Sequence, residues 1–276
     1  CPVFGGKLVS FDEAKVKAMR GVKGVVKVND STVAVVADTW WRAKTALDNL
    51  PIDWDLGPNA KASSTTIAAA LKEGLSVEGD YWQRKEGDAL AVIKASAKTV
   101  DAVYSSQFLA HATMEPMNCV VQLSADRAYA WVPTQNAEAS IAALSEASGL
   151  PLASCDIKTM DLGGGLGRRG GTQDFMHHAV AIAKRFPNVP IKMVWSREED
   201  MMHDFYRPIS MAKMSAGLDD KGNLTGLHVR VSGQSINAYL NPSAIKNNKD
   251  VRQLQGFYEE RSEERRVGKE CLRLCR

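Results

Sequence analysis

Nine residues constrain this chain more than any other stretch: Gly163-Gly164-Gly165-Leu166-Gly167-Arg168-Arg169-Gly170-Gly171, six glycines in nine positions. They follow a β-like run, CDIKTMDL, that begins at Cys155, and precede a helical pattern from Thr172 to Phe186 that Pro187 closes. Glycine adopts positive φ freely and lets a ligand approach the backbone. Successive N–H groups in such a turn form an anion nest, and the following helix adds the positive end of its dipole. Arg168 and Arg169 bring guanidinium forks suited to phosphate or carboxylate. The pattern points to a phosphorylated or otherwise anionic cofactor. A glycine turn required only for tight packing is the plainer alternative.

Gly165-x-Gly167-x-x-Gly170 also spells the dinucleotide fingerprint of nicotinamide enzymes, a weak signal by itself. Three features oppose it. The preceding run carries Asp156, Lys158 and Asp161, whereas a central parallel strand is nearly all apolar. The loop lies far into the chain. No acidic residue follows at the spacing that a ribose contact needs, Glu198 being too late. A P-loop Lys-Ser/Thr pair is also missing.

The 276 residues suffice for one large domain or two ordinary ones, with 45% apolar and 24% charged residues, the balance of a soluble globular protein. A net charge of +3, spread along the chain without a basic run before residue 260, gives no reason to expect nucleic acid. No apolar stretch reaches the length of a membrane span. Cys1, Cys119, Cys155, Cys271 and Cys275 include no C-x-x-C, so neither a zinc ribbon nor an iron–sulfur framework is readable, and disulfides are not indicated.

Strand and helix signals alternate, which predicts an α+β (mixed α/β) architecture. Residues 1–57 read as a small α/β unit. It holds a strand at GKLVS, and a helix from Asp12 to Met19 with Ser10 as N-cap and Glu13 completing a capping box. Two β runs flank the turn Asn29-Asp30-Ser31, and a helix follows from Asp38 to Leu50. Residues 58–98 read as a connector, with a helix starting at Ser63/Ser64 and ending near Gly74, an exposed loop from Gly79 to Gly87, and a helix from Glu86 to Ala97. Residues 99–256 hold strands at TVDAVYSS, CVVQLS and RAYAWVP, and a helix from Ala137 to Ser148. The glycine loop and its helix follow, then the strand IKMVW, a short helix capped by Ser196, and a hairpin turning at Asp219 to Asn223. The segment 257–276 is expected to be a non-native or disordered tail. EERSEERRVGKECLRLCR, from Glu259, resembles translated sequencing-adaptor read-through more than a domain end. The start at Cys1 reads as internal to a longer protein.

Four segments together resemble a known family. GGGLGRRGG resembles the GGGFGRR motif in the large subunit of isoquinoline 1-oxidoreductase and related aldehyde dehydrogenases, molybdenum hydroxylases of the xanthine oxidase superfamily. QFLAHATMEPMN (Gln107 to Asn118), WVPTQN (Trp131 to Asn136) and VWSREEDMMHDFYRPI (Val194 to Ile209) resemble three further segments of that subunit. Pro2 to Pro58 is similar to the hammerhead domain that precedes the molybdopterin-binding domain. The resemblance covers roughly residues 1 to 256.

The resemblance implies that the whole protein oxidises an N-heterocycle or an aldehyde with water as oxygen source. It implies molybdopterin, in the cytosine dinucleotide form, held through its dithiolene rather than by protein metal ligands. It further implies 2Fe–2S clusters on a small partner subunit, a cytochrome c acceptor and a periplasmic location. By the same resemblance Gln135 hydrogen-bonds an oxo ligand of molybdenum. Gly164, Gly165, Leu166 and Gly167 pack beside the cofactor, with Leu166 departing from the family Phe. Arg168 and Arg169 match the Arg pair of this branch, where xanthine oxidase relatives have Gly-Lys. The family's general-base glutamate lies in a later glycine-rich motif not present here, so this stretch alone is expected to be inactive. A nicotinamide-dependent dehydrogenase domain and a cofactor-free interaction module remain the alternatives; proximity of Gln135 to Leu166 favours the first reading.

Other residues read more plainly. His111 and Glu115 lack a third ligand and are expected to be structural or pocket-lining. His177-His178 reads as one exposed and one packed histidine, Trp40-Trp41 as core plus surface, and Glu198, Glu199 and Asp200 as acids suited to a first helical turn.

Overall fold

A computed structural model describes residues 1–77, 82–245, 250 and 267–273. It divides into two compact units, Cys1–Lys61 with Ala110–Phe205, and Ala62–Leu109 with Tyr206–Arg276.

In the first unit, β1 (Lys7–Phe11) pairs antiparallel with β4 (Ile52–Asp55), and β2 (Val22–Asn29) with β3 (Thr32–Ala37). Between them, α1 (Ala14–Lys17) and α2 (Trp40–Asp48) close over Val16, Ala46 and Leu50. The expected capping box on α1 does not form. Ser10 is held in β1 opposite Asp53, and the Ala14 N–H goes to Asp12 Oδ1 instead, so only one helical turn survives.

A four-stranded mixed sheet follows. Its order is β10 (Ile191–Val194), β7 (Asn118–Leu123), β8 (Ala128–Val132), β9 (Cys155–Thr159). β7 and β8 alternate buried and more exposed positions, which gives one apolar face. α5 (Ala137–Ser148) and α6 (Asp174–Ala183) bury that face around Val121, Val132, Leu144, Phe175, Met176 and Val180. Asn136 caps α5 by accepting from Ala139 N, and Gly149 ends it at φ +83°, a left-handed value that suits glycine.

In the second unit, α3 (Ser64–Gly74) starts on a capping box between Ser63 and Thr66. β5 (Trp82–Lys85), α4 (Ala89–Ala95), β6 (Lys98–Ser106), β11 (Ser210–Leu218), β12 (Leu224–Gly233) and β13 (Val267–Arg273) follow, the strands in the order β5-β13-β12-β11-β6. α3 and α4 pack on β11 and β12. The expected loop from Gly79 to Gly87 therefore holds a strand over Trp82–Lys85, residues 79–81 lying outside the described ones. Its four residues lack apolar alternation, and the pairing comes from a strand far along the chain. The stretch read as a connector, 58–98, supplies α3, β5 and α4 to this unit. Of 257–276, Val267–Arg273 is strand and the rest lies outside the described residues. The architecture mixes helix and sheet as the α+β reading expects.

Candidate functional site

Topology gathers the four motif segments at one end of the mixed sheet. β8 and β9 are parallel, with Val132 opposite Thr159, so the loops after both strands leave from the same end. β7 runs antiparallel to β8, and β10 antiparallel to β7, with Val194 opposite Asn118. The start of β7 and the end of β10 therefore lie at that end too. Residues 110–117, 133–136, 160–173 and 195–205 converge there, the carboxyl ends of parallel strands being where such sheets build ligand sites.

Gln135 and the glycine loop touch. Gln135 Oε1 accepts from Gly167 N at 3.0 Å and from Arg169 N at 3.3 Å. Two backbone N–H donors fix which end of the amide is oxygen. The Nε2 end, on an exposed residue, is left without a partner among the described residues. A Cβ at Gly165 would lie 2.4 Å from Gln135 Cδ, so any other residue there must displace that amide. Leu166 sits at φ +54° and is 76% exposed, an apolar side chain held outward in a conformation that costs about 1–2 kcal/mol for an L-residue. The N–H groups of Gly164, Gly165 and Leu166 donate to no acceptor among the described residues. Nothing lies within 3.4 Å of the Cβ positions of Gly164 and Gly167. Gly164 and Leu166 are exposed, so their unpartnered N–H groups lie at the surface, whereas Gly165 is buried.

The two arginines depart from expectation. Both are buried, and their guanidinium groups turn into the protein. Arg168 binds Asp174 through two bonds of 2.8 Å, lies under the Phe205 ring at 5.1 Å, and places Nε 2.9 Å from Asp204 Oδ1, off the N–H axis, as an ion pair without a hydrogen bond. Arg169 donates to the carbonyls of Gly164, Pro133, Glu115 and Pro116 and to Glu115 Oε2 at 3.0 Å. Burial lowers the pKa of its guanidinium, which Glu115 and Asp200 partly offset. A guanidinium buried to this degree needs every donor matched. The pair therefore builds the loop, and neither guanidinium is directed outward.

Glu115 also accepts from Gly163 N at 3.1 Å, and a Cβ at Gly163 would fall 2.2 Å from Glu115 Cβ. Ala112, at φ +47°, breaks the helix that would have put His111 and Glu115 on one face. His111 Nδ1 instead lies 3.0 Å from both oxygens of Asp204. Ser196 caps α7 (Arg197–Met202) by accepting from Glu199 N, as expected, but Asp200 does more than suit the dipole. It is buried, pairs with Arg197 and accepts from Met117 N. Arg197 in turn donates to the carbonyls of Thr113 and Met114. His178 stacks on Trp195 and bonds Asn29, while burial lowers its pKa. Trp40 is not core: it is 44% exposed and donates to the Val194 carbonyl, and Trp41 is 71% exposed.

The partners Asp174 and Asp204 were not singled out from the sequence, and Glu115 was read only beside His111, as structural or pocket-lining. Two arginines in a loop that must also pack are the signal that would have sought them.

The loop follows β9, an edge strand of a mixed sheet, and not the central parallel strand that a nicotinamide fold uses. Among the described residues no group of three or more His, Cys, Asp or Glu is placed to hold a metal, and no helix is long and apolar enough to cross a membrane. These features define a mixed α/β module in which the glycine loop and the Gln135 amide meet at one end of the sheet. The molybdopterin cofactor-binding domain family matches residues 74–266, and the chain belongs to it, as part of a molybdopterin-binding subunit of the xanthine oxidase type. It is similar to isoquinoline 1-oxidoreductase subunit beta of Brevundimonas diminuta, 26% identical over 87% of this chain and 32% of the relative. It is also similar to the membrane-bound aldehyde dehydrogenase [pyrroloquinoline-quinone] of Gluconacetobacter polyoxogenes, 24% identical over 81% of this chain and 30% of the relative. Quinoline 2-oxidoreductase from Pseudomonas putida 86 shares the fold, with a TM-score of 0.66 and 16% identity over 97% of this chain and 39% of that one. The chain thus spans about a third of the length of these relatives.

Proposed function

We propose that this chain forms one wall of the molybdopterin site of a molybdenum hydroxylase that oxidises an N-heterocycle or an aldehyde, with water as the oxygen source. The observation that carries the reading is the free face of the loop. The exposed, unpartnered N–H groups of Gly164 and Leu166 stand beside a Gln135 amide whose oxygen is committed and whose nitrogen is free. Such donors fit an anionic dithiolene and phosphate, and an uncharged amide fits an oxo ligand, because it donates without adding charge. The bound group would supply the redox chemistry at carbon. The residues of this chain orient it: Gln135 from the loop after β8, and Gly164 to Gly167 from the loop after β9, with Arg168 and Arg169 holding that loop in shape.

The cofactor form is the cytosine dinucleotide. The electrons leave to 2Fe–2S clusters on a small partner subunit and from there to a cytochrome c, in the periplasm. The general base is not assigned to any residue of this chain. The test is cofactor analysis of the whole protein expressed with molybdenum and nucleotide supply. One molybdenum and one pterin per subunit, lost in a Gly165→Ala variant, is the expected result. Wild-type protein that folds yet holds neither overturns the reading.

A further inference from the structure

Gly167 has polar neighbours on two sides, and only one belongs to the site as described. Gln135 takes its N–H. His111 approaches from the segment before β7, with Nε2 3.8 Å from the Cβ position of Gly167. The imidazole is held tightly. Both oxygens of Asp204 lie 3.0 Å from Nδ1, and Asp204 also accepts from the backbone N–H of His111 and of Phe205. Asp204 is itself fixed by Arg168, and its side chain is 3% exposed. A carboxylate accepts, so Nδ1 is the nitrogen that donates to Asp204, and in the neutral tautomer this fixes, Nε2 is a lone pair. That nitrogen has no partner among the described residues, and the side chain remains 24% exposed. Buried carboxylates that orient an imidazole leave its other nitrogen for a ligand elsewhere in protein chemistry as well.

We propose that His111 is a cofactor-contacting residue, its Nε2 accepting a hydrogen bond from an N–H or O–H donor of the group bound at the glycine loop. The inference rests on the molybdopterin reading above. A donor amide at Gln135 and an acceptor imidazole at His111 flank Gly167, so the ligand must present an acceptor and a donor side by side. The oxo ligand proposed for Gln135 is the acceptor, and an N–H or O–H of the same bound group within reach of His111 is the donor. A phosphodiester, with acceptors alone, leaves His111 unmatched.

The test uses the whole protein as holoenzyme and reads the rate at which pterin and molybdenum are lost under mild heating below the unfolding transition. His111→Asn keeps an N–H donor near the Nδ1 position for Asp204 and removes Nε2. His111→Gln places an amide oxygen near the Nε2 position. One neutral hydrogen bond corresponds to roughly a three- to ten-fold change in an equilibrium. His111→Asn is therefore expected to lose cofactor about five-fold faster at an unchanged melting temperature, and His111→Gln to recover part of that loss. Cofactor loss from His111→Asn at the wild-type rate overturns the inference and leaves His111 as a brace for Asp204. A wild-type protein without pterin overturns the molybdopterin reading and this inference with it.

Discussion

Gly165→Ala tests whether the glycine loop and Gln135 are one object. The added Cβ would lie 2.4 Å from Cδ and Oε1 of Gln135 and 2.9 Å from Cγ, all parts of one exposed side chain. That side chain can swing into solvent, so the methyl need not distort the loop. Its cost is the two hydrogen bonds that Oε1 accepts from Gly167 N and Arg169 N. At about 0.5–1.5 kcal/mol each, and toward the lower end because water replaces the amide, the loss comes to roughly 1–2 kcal/mol. Gln135→Ala removes the same two bonds and should cost a similar amount. The decisive measurement is the double variant. With no side chain left to displace, Gly165→Ala should add almost nothing to Gln135→Ala, giving a coupling of about 1 kcal/mol or more where independent sites add within about 0.5 kcal/mol. Chemical denaturation of the four proteins, with amide exchange at Gly167 and Arg169, supplies the cycle. Simple additivity, or unchanged exchange at those two amides in Gly165→Ala, refutes the reasoning.

Three further expectations follow from the same geometry. Arg168→Met leaves Asp174 and Asp204 without the cation between them and should destabilise by about 3–5 kcal/mol, with Asp204→Asn in the same chain restoring part of it in a melting experiment. Leu166→Gly removes a left-handed penalty of about 1–2 kcal/mol and adds about 0.5–1 kcal/mol of glycine entropy. Little burial is lost at 76% exposure, so the melting temperature should rise slightly; a fall would show that Leu166 is held by packing. Burial lowers the folded-state pKa of His178, opposed by Asp174 and reinforced by His177, Arg168 and His203. The unfolded chain then binds the extra proton first, so the stability from neutral His178 is complete above its ordinary value of 6.5 and declines as pH falls below it. Melting curves at pH 7.5 and 5.5 should separate more for wild type than for His178→Gln.

The local elements were legible where local chemistry decides them. The helix read from Ala137 to Ser148 coincides with α5 residue for residue, Gly149 ending it. Ser63 and Ser196 mark two more helix starts as N-caps. Ser10 misled because its place in the β1–β4 pairing overrides a capping preference. β5 was illegible because its partner, β13, lies at the other end of the sequence. The meeting of Gln135 with the glycine loop was legible as a likeness between motifs, and the fold supplies its cause. β8 and β9 are parallel neighbours, and loops after parallel neighbours emerge together. The direction of the arginines was not legible, since the residue type that suits a phosphate also suits a buried carboxylate.

That direction changes what the loop's charge is for. Two cations aimed outward would attract any anion, and the site would discriminate poorly. Turned inward, Arg168 is matched by Asp174 and Asp204, and Arg169 by Glu115 and four carbonyls. The field left at the surface is that of oriented N–H dipoles, which act at contact distance and demand shape. The arginines also restrain what glycine leaves loose. Six glycines in nine positions give up more backbone entropy on ordering than other residues, and Leu166 adds strain. Arg169 spans this segment, holding Gly164 through its side chain while its own N–H and carbonyl engage Gln135 and Gln173. A loop of this composition keeps a fixed shape because one buried cation ties Gly164 to Arg169 across it, so the order of its unpartnered N–H groups is built into the protein.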